Sequence, residues 1–427
     1  MFKVLVIAYY FPPMGLSGVQ RTLKFTKYLK EYNWRPTVLT SGKTGYYAHD
    51  LSLLKEAEDA EIEIVRTEAF DLNSMLANFG TIKMPSEKIR KLLSLLSKTF
   101  LIPDNKISWS IKAYKKAKEL LSKEKFDAIY ITLPPFSPFT IASRLKKEFN
   151  LPLIVDYRDL WYGNHFAFYP TPYHKFRHKK QEEMALRSTD HVIAVNRKIK
   201  EHLLTTYKFL SFENITIIPH GFDPADFNNI KPVFTENDKI KVLYTGIFYE
   251  SITPKYLFKA FRELSIERPD IAENYEFHFI GYLRKENMNL VKQLGLEAFI
   301  FDHGYMDHKE VVRYISYADF LWVMLNDEKN MQMVSAGKLF EYFGTKKPIL
   351  ATVPEGASRT AATQYSASYI TDPRDITAIK NALIKMRTDF INGNIPSPND
   401  EFVLTHDRKF LTKQLAQILQ FNVKETE

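Results

Sequence analysis

The segment Ser335-Ala336-Gly337-Lys338-Leu339-Phe340-Glu341-Tyr342, continued by Lys347-Pro348-Ile349-Leu350, carries the residues best suited to chemistry. It reads as a small-residue turn, a short helix with one inward carboxylate, and a step into an apolar strand. A turn that opens a helix presents backbone N–H groups that suit a phosphate. Glu341, about one turn further along, reaches past such a phosphate to a pair of vicinal hydroxyls, such as those of a ribose. An ordinary helix–strand junction with a solvated glutamate fits the same residues, so other signals must decide.

Two other clusters stand out. Pro12-Pro13-Met14-Gly15-Leu16-Ser17-Gly18-Val19-Gln20-Arg21 follows an apolar run and opens a helix. Its glycines let the backbone approach an anion or a sugar closely, although a plain strand–helix turn explains them too. Asp156-Tyr157-Arg158-Asp159-Leu160-Trp161 ends another apolar run. Two carboxylates, a guanidinium and an indole at a strand end must be paired or functional, because such charges are seldom buried for packing alone. Pro134-Pro135-Phe136-Ser137-Pro138 follows a third strand end, as a wall of the same site or as a rigid turn.

The elements that must position these residues alternate. Strands are expected at Phe2–Ala8, Pro36–Thr40, Glu61–Arg66, Ala128–Leu133, Pro152–Asp156 and His191–Val195, with helices at Val19–Tyr32, Trp109–Lys123, Phe139–Phe149 and Lys175–Arg187 between them. The pattern restarts after Lys239, with strands at Lys241–Thr245, Tyr275–Ile280, Ile300–His303, Phe320–Met324 and Pro348–Thr352. Short apolar strands separated by helices predict parallel sheets covered on both faces. Ligands of such sheets bind at the carboxyl ends of the strands. The fold class is therefore α/β, with two doubly wound Rossmann-like domains, and the polar stretch Gly221–Lys239 is the expected linker.

Composition narrows the classes. The chain has 427 residues, 45% of them hydrophobic and 26% charged, enough for two ordinary domains and unlike a disordered chain. It has no cysteine, which excludes disulfides and thiolate metal sites. The opening apolar run is too short for a signal peptide, and no run reaches the ~20 apolar residues of a spanning helix. A cytoplasmic protein is expected. Residues 1–230 hold 34 Lys and Arg against 24 Asp and Glu, and the remainder 25 against 26, so the basic excess lies in the first half. That half suits phosphorylated substrates or an anionic lipid surface. No nucleic-acid recognition module is present, so nucleic acid is not an expected partner.

Four stretches together resemble the bacterial family-4 retaining glycosyltransferases of GT-B fold, in a polysaccharide-biosynthesis-like subgroup. They are Phe11-Pro12-Pro13…Gly15…Gly18…Arg21 with Trp34-Arg35-Pro36-Thr37-Val38-Leu39-Thr40; Asp156 to Trp161; Ile217-Ile218-Pro219-His220-Gly221-Phe222-Asp223…Phe227; and Gly337 to Tyr342 with Lys347-Pro348. The resemblance implies two domains facing across a cleft. An acceptor-binding domain would span 1–225, a donor-binding domain 240–400, and a last helix at about 405–427 would pack back on the first. It implies transfer of a sugar from a nucleoside-diphosphate sugar, as substrate rather than cofactor, with retention and without a metal. The acceptor would be a glycan, a glycolipid or a lipid-linked species at the inner membrane face.

Carried over by motif, Glu341 would meet the nucleotide ribose, and Ser335, Gly337 and Lys338 would lie near the diphosphate. Gly15, Ser17 and Gly18 would close over it. Tyr244-Thr245-Gly246-Ile247-Phe248 matches the first strand of the donor domain, with Gly246 at its turn and Lys255 and Arg284 as the nearest cations for the leaving group. Asp156, Arg158 and Asp159 would be the catalytic set, and Arg21 and Trp161 would contact the acceptor. Met333 stands where the family often has a second glutamate, and His220 where it has asparagine. The first departure suggests a non-catalytic nucleotide-sugar-binding subunit as an alternative; among enzymes, a nucleotide-sugar epimerase of related GT-B architecture is the nearest rival. Two basic segments, Lys83–Lys98 and His174–Lys180, suit an anionic membrane, or simply a solvated helix face.

Overall fold

The computed structural model describes all residues except 16, 43–47, 69–94, 96, 98, 165–166, 235–236, 249–251 and 424–427, and except the side chain of Ser17. The basic segment expected at Lys83–Lys98 therefore lies outside the described residues, apart from Leu95 and Ser97. The chain divides into two compact units, Met1–Pro219 with Arg408–Glu427, and His220–Asp407.

In the first unit seven strands form one parallel sheet: β1 (Phe2–Ile7), β2 (Trp34–Ser41), β3 (Glu63–Thr67), β4 (Ala128–Leu133), β5 (Leu153–Tyr157), β6 (His191–Ala194) and β7 (Ile215–Ile217). Their order is β3-β2-β1-β4-β5-β6-β7. Val4–Ile7 and all of β4 and β5 are buried, as expected of strands covered by helices on both faces. Val6 of β1 pairs with Val38 on one side and Tyr130 on the other. The order reverses between β1 and β4, so the loops after these two strands flank the switch point where such sheets take ligands. The helix Arg408–Asn422 returns to this unit. Its Arg408 guanidinium lies 5.8 Å from the Phe25 ring, and the Tyr32 hydroxyl donates to the Lys409 carbonyl at 3.0 Å.

In the second unit six parallel strands run β10-β9-β8-β11-β12-β13: β8 (Ile240–Ile247), β9 (Tyr275–Tyr282), β10 (Ile300–Asp302), β11 (Phe320–Met324), β12 (Ile349–Thr352) and β13 (Ser368–Thr371). One apolar layer, including Phe258, Phe261 and Trp322, covers one face. Another, including Leu321, Phe340, Phe343 and Tyr365, covers the other. The switch point here is between β8 and β11.

Two doubly wound parallel sheets were expected, and two are found. β7 and β13 were not anticipated, because three or four residues give too little alternation to read. The helix expected at Lys175–Arg187 begins at Pro172, since proline's fixed φ suits the first helical position. The polar stretch Gly221–Lys239 packs on the second unit: a Cβ at Gly344 would strike the Phe222 and Phe227 rings, and Phe222 N–H donates to the His406 carbonyl at 3.0 Å. Among the described residues no helix is long and apolar enough to cross a membrane.

Candidate functional site

In the first unit the strand-end charges form a buried lattice. Arg21, in the helix Ser17–Leu29, is fully buried. Its Nε donates to Asp156 Oδ2 at 2.7 Å and its Nη2 to Asp156 Oδ1 at 2.8 Å. The guanidinium also donates to the carbonyls of Pro219 at 2.6 Å and Ile218 at 3.0 Å. The Tyr130 hydroxyl donates to Asp156 Oδ2 at 2.8 Å. Burial opposes the Arg21 charge, but the Asp156 carboxylate outweighs it and holds the guanidinium pKa above its ordinary value. Arg158 is equally committed: Nε donates to the Leu133 carbonyl at 3.1 Å, and its two terminal nitrogens donate to the carbonyls of Gly18 and Pro134. Burial lowers its pKa, against the neighbouring Asp159 and Asp156.

Arg158 thus joins the loop after β1 to the loop after β4. Gly18 is needed for this approach, because a Cβ there would come within 2.6 Å of Arg158 Nη1. Gly15 N–H donates to the Ala48 carbonyl at 2.7 Å, which fixes the loop's other end. Trp161 is buried, stacks on Phe136 with centroids 5.5 Å apart, and donates from Nε1 to His178 Nδ1 at 3.0 Å. Burial lowers the His178 pKa, opposed by Asp104, which suits a neutral ring accepting that bond.

These placements differ from the expected exposure of Arg21 and Trp161 to an acceptor. Both are enclosed in the unit, with their polar groups directed at protein partners. Asp156 and Arg158 are likewise turned into the scaffold. Asp159 is the exception: it is half-buried at the end of β5, and among the described residues its carboxylate makes no hydrogen bond. Sequence reasoning missed Tyr130, His178 and Glu182. Glu182 is buried, accepts from the Tyr157 and Tyr207 hydroxyls at 3.0 and 2.7 Å and from Tyr162 N–H at 2.9 Å, and so ties β5 to the segment after it. Burial pushes its pKa up to about 7, against those three donors.

In the second unit Gly246, Lys338 and Glu341 lie near the switch point between β8 and β11. The helix Gly337–Thr345 follows β11, and its Tyr342 hydroxyl accepts from Thr245 N–H at 3.0 Å, locking the helix to β8. Lys338 lies with Nζ 3.8 Å from the centroid of the Tyr244 ring, which stacks on Phe248 at 4.3 Å. Gly246 has φ +132, and a Cβ there would strike the Lys338 ammonium. Gly281, also at positive φ, would with a Cβ strike the Gly246 carbonyl. The two glycines let adjacent strand ends and a lysine share one small space. Burial lowers the Lys338 pKa to about 7, with Glu341 opposing. Among the described residues its ammonium makes no hydrogen bond.

Glu341 lies one turn on, 13% exposed, and bonds His308 Nε2 at the start of the helix His308–Tyr317. His308 escaped the sequence reading because nothing links it to Glu341 except the fold. Ala336 N–H donates to Ser358 Oγ at 3.1 Å, whereas the N–H groups of Gly337 and Lys338 have no partner among the described residues. Ser335 adjoins this turn, half-buried. Arg284 is half-buried just after β9, with φ 69, and Lys255 is exposed at the start of the helix Lys255–Glu267. The cluster of an unbonded ammonium, open helix amides and an oriented carboxylate can receive an anion and a polyol together.

Residues 81–226 match the profile of Glycosyltransferase Family 4. A glycosyltransferase from Rickettsia africae superposes with a TM-score of 0.68 at 14% identity, covering 100% of this chain and 99% of its own. Sucrose-phosphate synthase from Thermosynechococcus elongatus gives 0.68 at 15% identity, covering 99% of each chain. HepE from Anabaena, in complex with UDP and glucose, gives 0.65 at 12% identity, covering 98% of this chain and 100% of its own. No curated protein matches the sequence. The two parallel sheets thus give this chain the GT-B fold of these structures, and its residues 81–226 are similar to Glycosyltransferase Family 4.

Proposed function

We propose that this protein moves a sugar from a nucleoside-diphosphate sugar to a glycan, glycolipid or lipid-linked acceptor, with retention and without a metal. The observation that carries the reading is the Lys338 ammonium, half-buried and without a hydrogen bond among the described residues, beside the open Gly337 and Lys338 amides and one turn from Glu341. Breaking the bond between sugar and diphosphate develops negative charge on the leaving group. A cation and a helix N-terminus aimed at that charge stabilise it without a divalent ion. Glu341, held by His308, accepts from the ribose hydroxyls, and Arg284 and Lys255 are further cations for the diphosphate. HepE, whose fold this chain shares, is described with UDP, which makes UDP the first nucleotide to test.

The first unit supplies the acceptor side. Asp159, the strand-end carboxylate without a hydrogen bond among the described residues, is the group we assign to the acceptor, and the Arg21–Asp156 and Arg158 contacts hold the loops that frame it. The test is turnover of UDP-, GDP- and TDP-sugars with and without lipid-linked and glycan acceptors, followed by mass spectrometry of the products. Acceptor-dependent nucleotide release with a heavier acceptor supports transfer. Conversion of the donor without acceptor would mark an epimerase, and binding without turnover a non-catalytic subunit.

A further inference from the structure

We propose that Glu182 is a positioning residue for the sugar transfer: its carboxyl group grips both ends of the loop that presents Asp159 and so sets where that carboxylate stands. The inference rests on the transfer reading and deepens its acceptor side. Glu182 lies on the helix Pro172–Leu186 and is fully buried. Its Oε1 accepts from the Tyr157 hydroxyl at 3.0 Å, and its Oε2 accepts from Tyr162 N–H at 2.9 Å. Tyr157 ends β5 two residues before Asp159, and Tyr162 comes three residues after it. One side chain therefore ties the departing strand to the far end of the loop, with one oxygen for each. The Tyr207 hydroxyl, just past the helix Arg197–Thr206, donates to Oε2 at 2.7 Å and steadies the carboxyl group from another element.

The rest of the loop is held as well. Arg158 N–H donates to the Leu133 carbonyl at 3.1 Å, and Asn164 Nδ2 donates to the Leu160 carbonyl at 2.8 Å. His202 Nε2 lies 3.1 Å from the Tyr162 carbonyl, and Gly163 N–H donates to the Tyr169 hydroxyl at 3.1 Å. Gly163 has φ +85, and a Cβ there would lie 3.0 Å from the His202 ring. Within residues 157–164 only Asp159 makes no hydrogen bond among the described residues. Its place is thus set by the loop and not by partners of its own.

Filling this space does not call for an acid. A buried carboxyl group without a cation is costly, and Glu182 forms no ion pair among the described residues. An apolar side chain of similar volume packs such a site without that cost. What the carboxyl group adds is two oxygens at fixed separation, which hold two points of one loop to a helix. Reacting groups are placed to fractions of an ångström by such outer supports, and a displacement of ~1 Å lowers turnover by up to about a hundredfold. A Glu182 that only stabilised the fold would behave differently. Its loss would lower the folded fraction and affect both substrates alike.

The test is steady-state kinetics of acceptor-dependent transfer by the full chain, with circular dichroism and urea midpoints to confirm that each variant is folded. Glu182→Leu should lower kcat about tenfold to a hundredfold. Its calorimetric affinity for the nucleotide sugar, whose proposed site is in the second unit, should stay within about twofold of wild type. Glu182→Gln, whose amide can donate to the Tyr157 oxygen and accept from Tyr162 N–H, should keep most of kcat. Tyr157→Phe, which removes one grip and leaves the ring in place, should show part of the Glu182→Leu loss. In an Asp159→Asn background, Glu182→Leu should cost no more than about twofold further, because the two act through one carboxylate. Equal kcat of Glu182→Leu and wild type, additive losses in the double variant, or Glu182→Gln as slow as Glu182→Leu would overturn the proposal and leave sugar transfer standing. Should Glu182→Leu fail to fold, Tyr157→Phe with unchanged kcat, or with losses additive to those of Asp159→Asn, overturns it in the same way. A wild type without acceptor-dependent turnover would instead remove the transfer reading, and this inference with it.

Discussion

Replacing Asp156 with alanine strips both acceptor oxygens from a guanidinium that has no contact with water. Arg21 and Asp156 are each 0% exposed, and two bonds of 2.7 and 2.8 Å join them side by side. Removing one member of a buried pair leaves an uncompensated charge and costs about 3–5 kcal/mol. The Tyr130 hydroxyl loses its acceptor as well, a further ~1–3 kcal/mol if counted alone. The two terms share one carboxylate and do not add fully, so about 4 kcal/mol is expected. That is a large fraction of the stability of an ordinary domain. Urea unfolding followed by tryptophan fluorescence reads it directly, because Trp34, Trp109 and Trp161 are all buried in the first unit. Asp156→Leu combined with Arg21→Met should recover much of the loss, since replacing both charges with apolar groups removes the desolvation cost. Asp156→Ala with stability within about 0.5 kcal/mol of wild type, the scatter of ordinary surface changes, would refute this. Loss of turnover at unchanged stability would then assign Asp156 to the reacting groups rather than to the scaffold.

Two other predictions concern titrating groups. With the Lys338 pKa near 7, binding of a nucleotide sugar, whose diphosphate does not titrate in this range, should take up a proton near neutrality. It should weaken as pH rises above 7, by up to about tenfold per pH unit. Calorimetry in buffers of different ionisation enthalpy measures the uptake, and Lys338→Met should bind more weakly with a flat profile; a wild-type profile equally flat would contradict the assignment. Glu182, whose folded pKa of about 7 lies above the ordinary 4.5, stabilises the fold fully below about pH 4.5 and loses that contribution as pH climbs through 7. The loss totals about 3 kcal/mol. Urea midpoints between pH 5 and 8 should fall for wild type relative to Glu182→Gln, and parallel curves would rule the shift out.

Much of the scaffold was legible because β1, β4, β5 and β11 are near-continuous apolar runs, which only a sheet covered on both faces buries completely. The helix Gly337–Thr345 was legible in part, because its small-residue turn and the Lys347-Pro348 step bound a short apolar helix before β12. The roles within Asp156 to Trp161 were not. The residues showed that charges must be paired, but not with whom. Arg21 lies 135 positions from Asp156, and Gly18 lies 140 from Arg158, so only the folded sheet shows that these groups hold loops together. His308 escaped in the same way, since its bond to Glu341 joins two helices through the packing of the second unit.

The central claim is that the second unit holds the donor nucleotide at Gly337 to Glu341. Calorimetric titration of UDP into wild type and Glu341→Gln tests it most directly. Removing a charged acceptor from a ribose hydroxyl costs about 1.5–3 kcal/mol, so wild type should bind one UDP and the variant should bind about tenfold to a hundredfold more weakly. Asp159→Asn, altered in the other unit, should match wild type. Equal affinity of wild type and Glu341→Gln, or no binding of UDP, GDP or TDP by wild type, would contradict it.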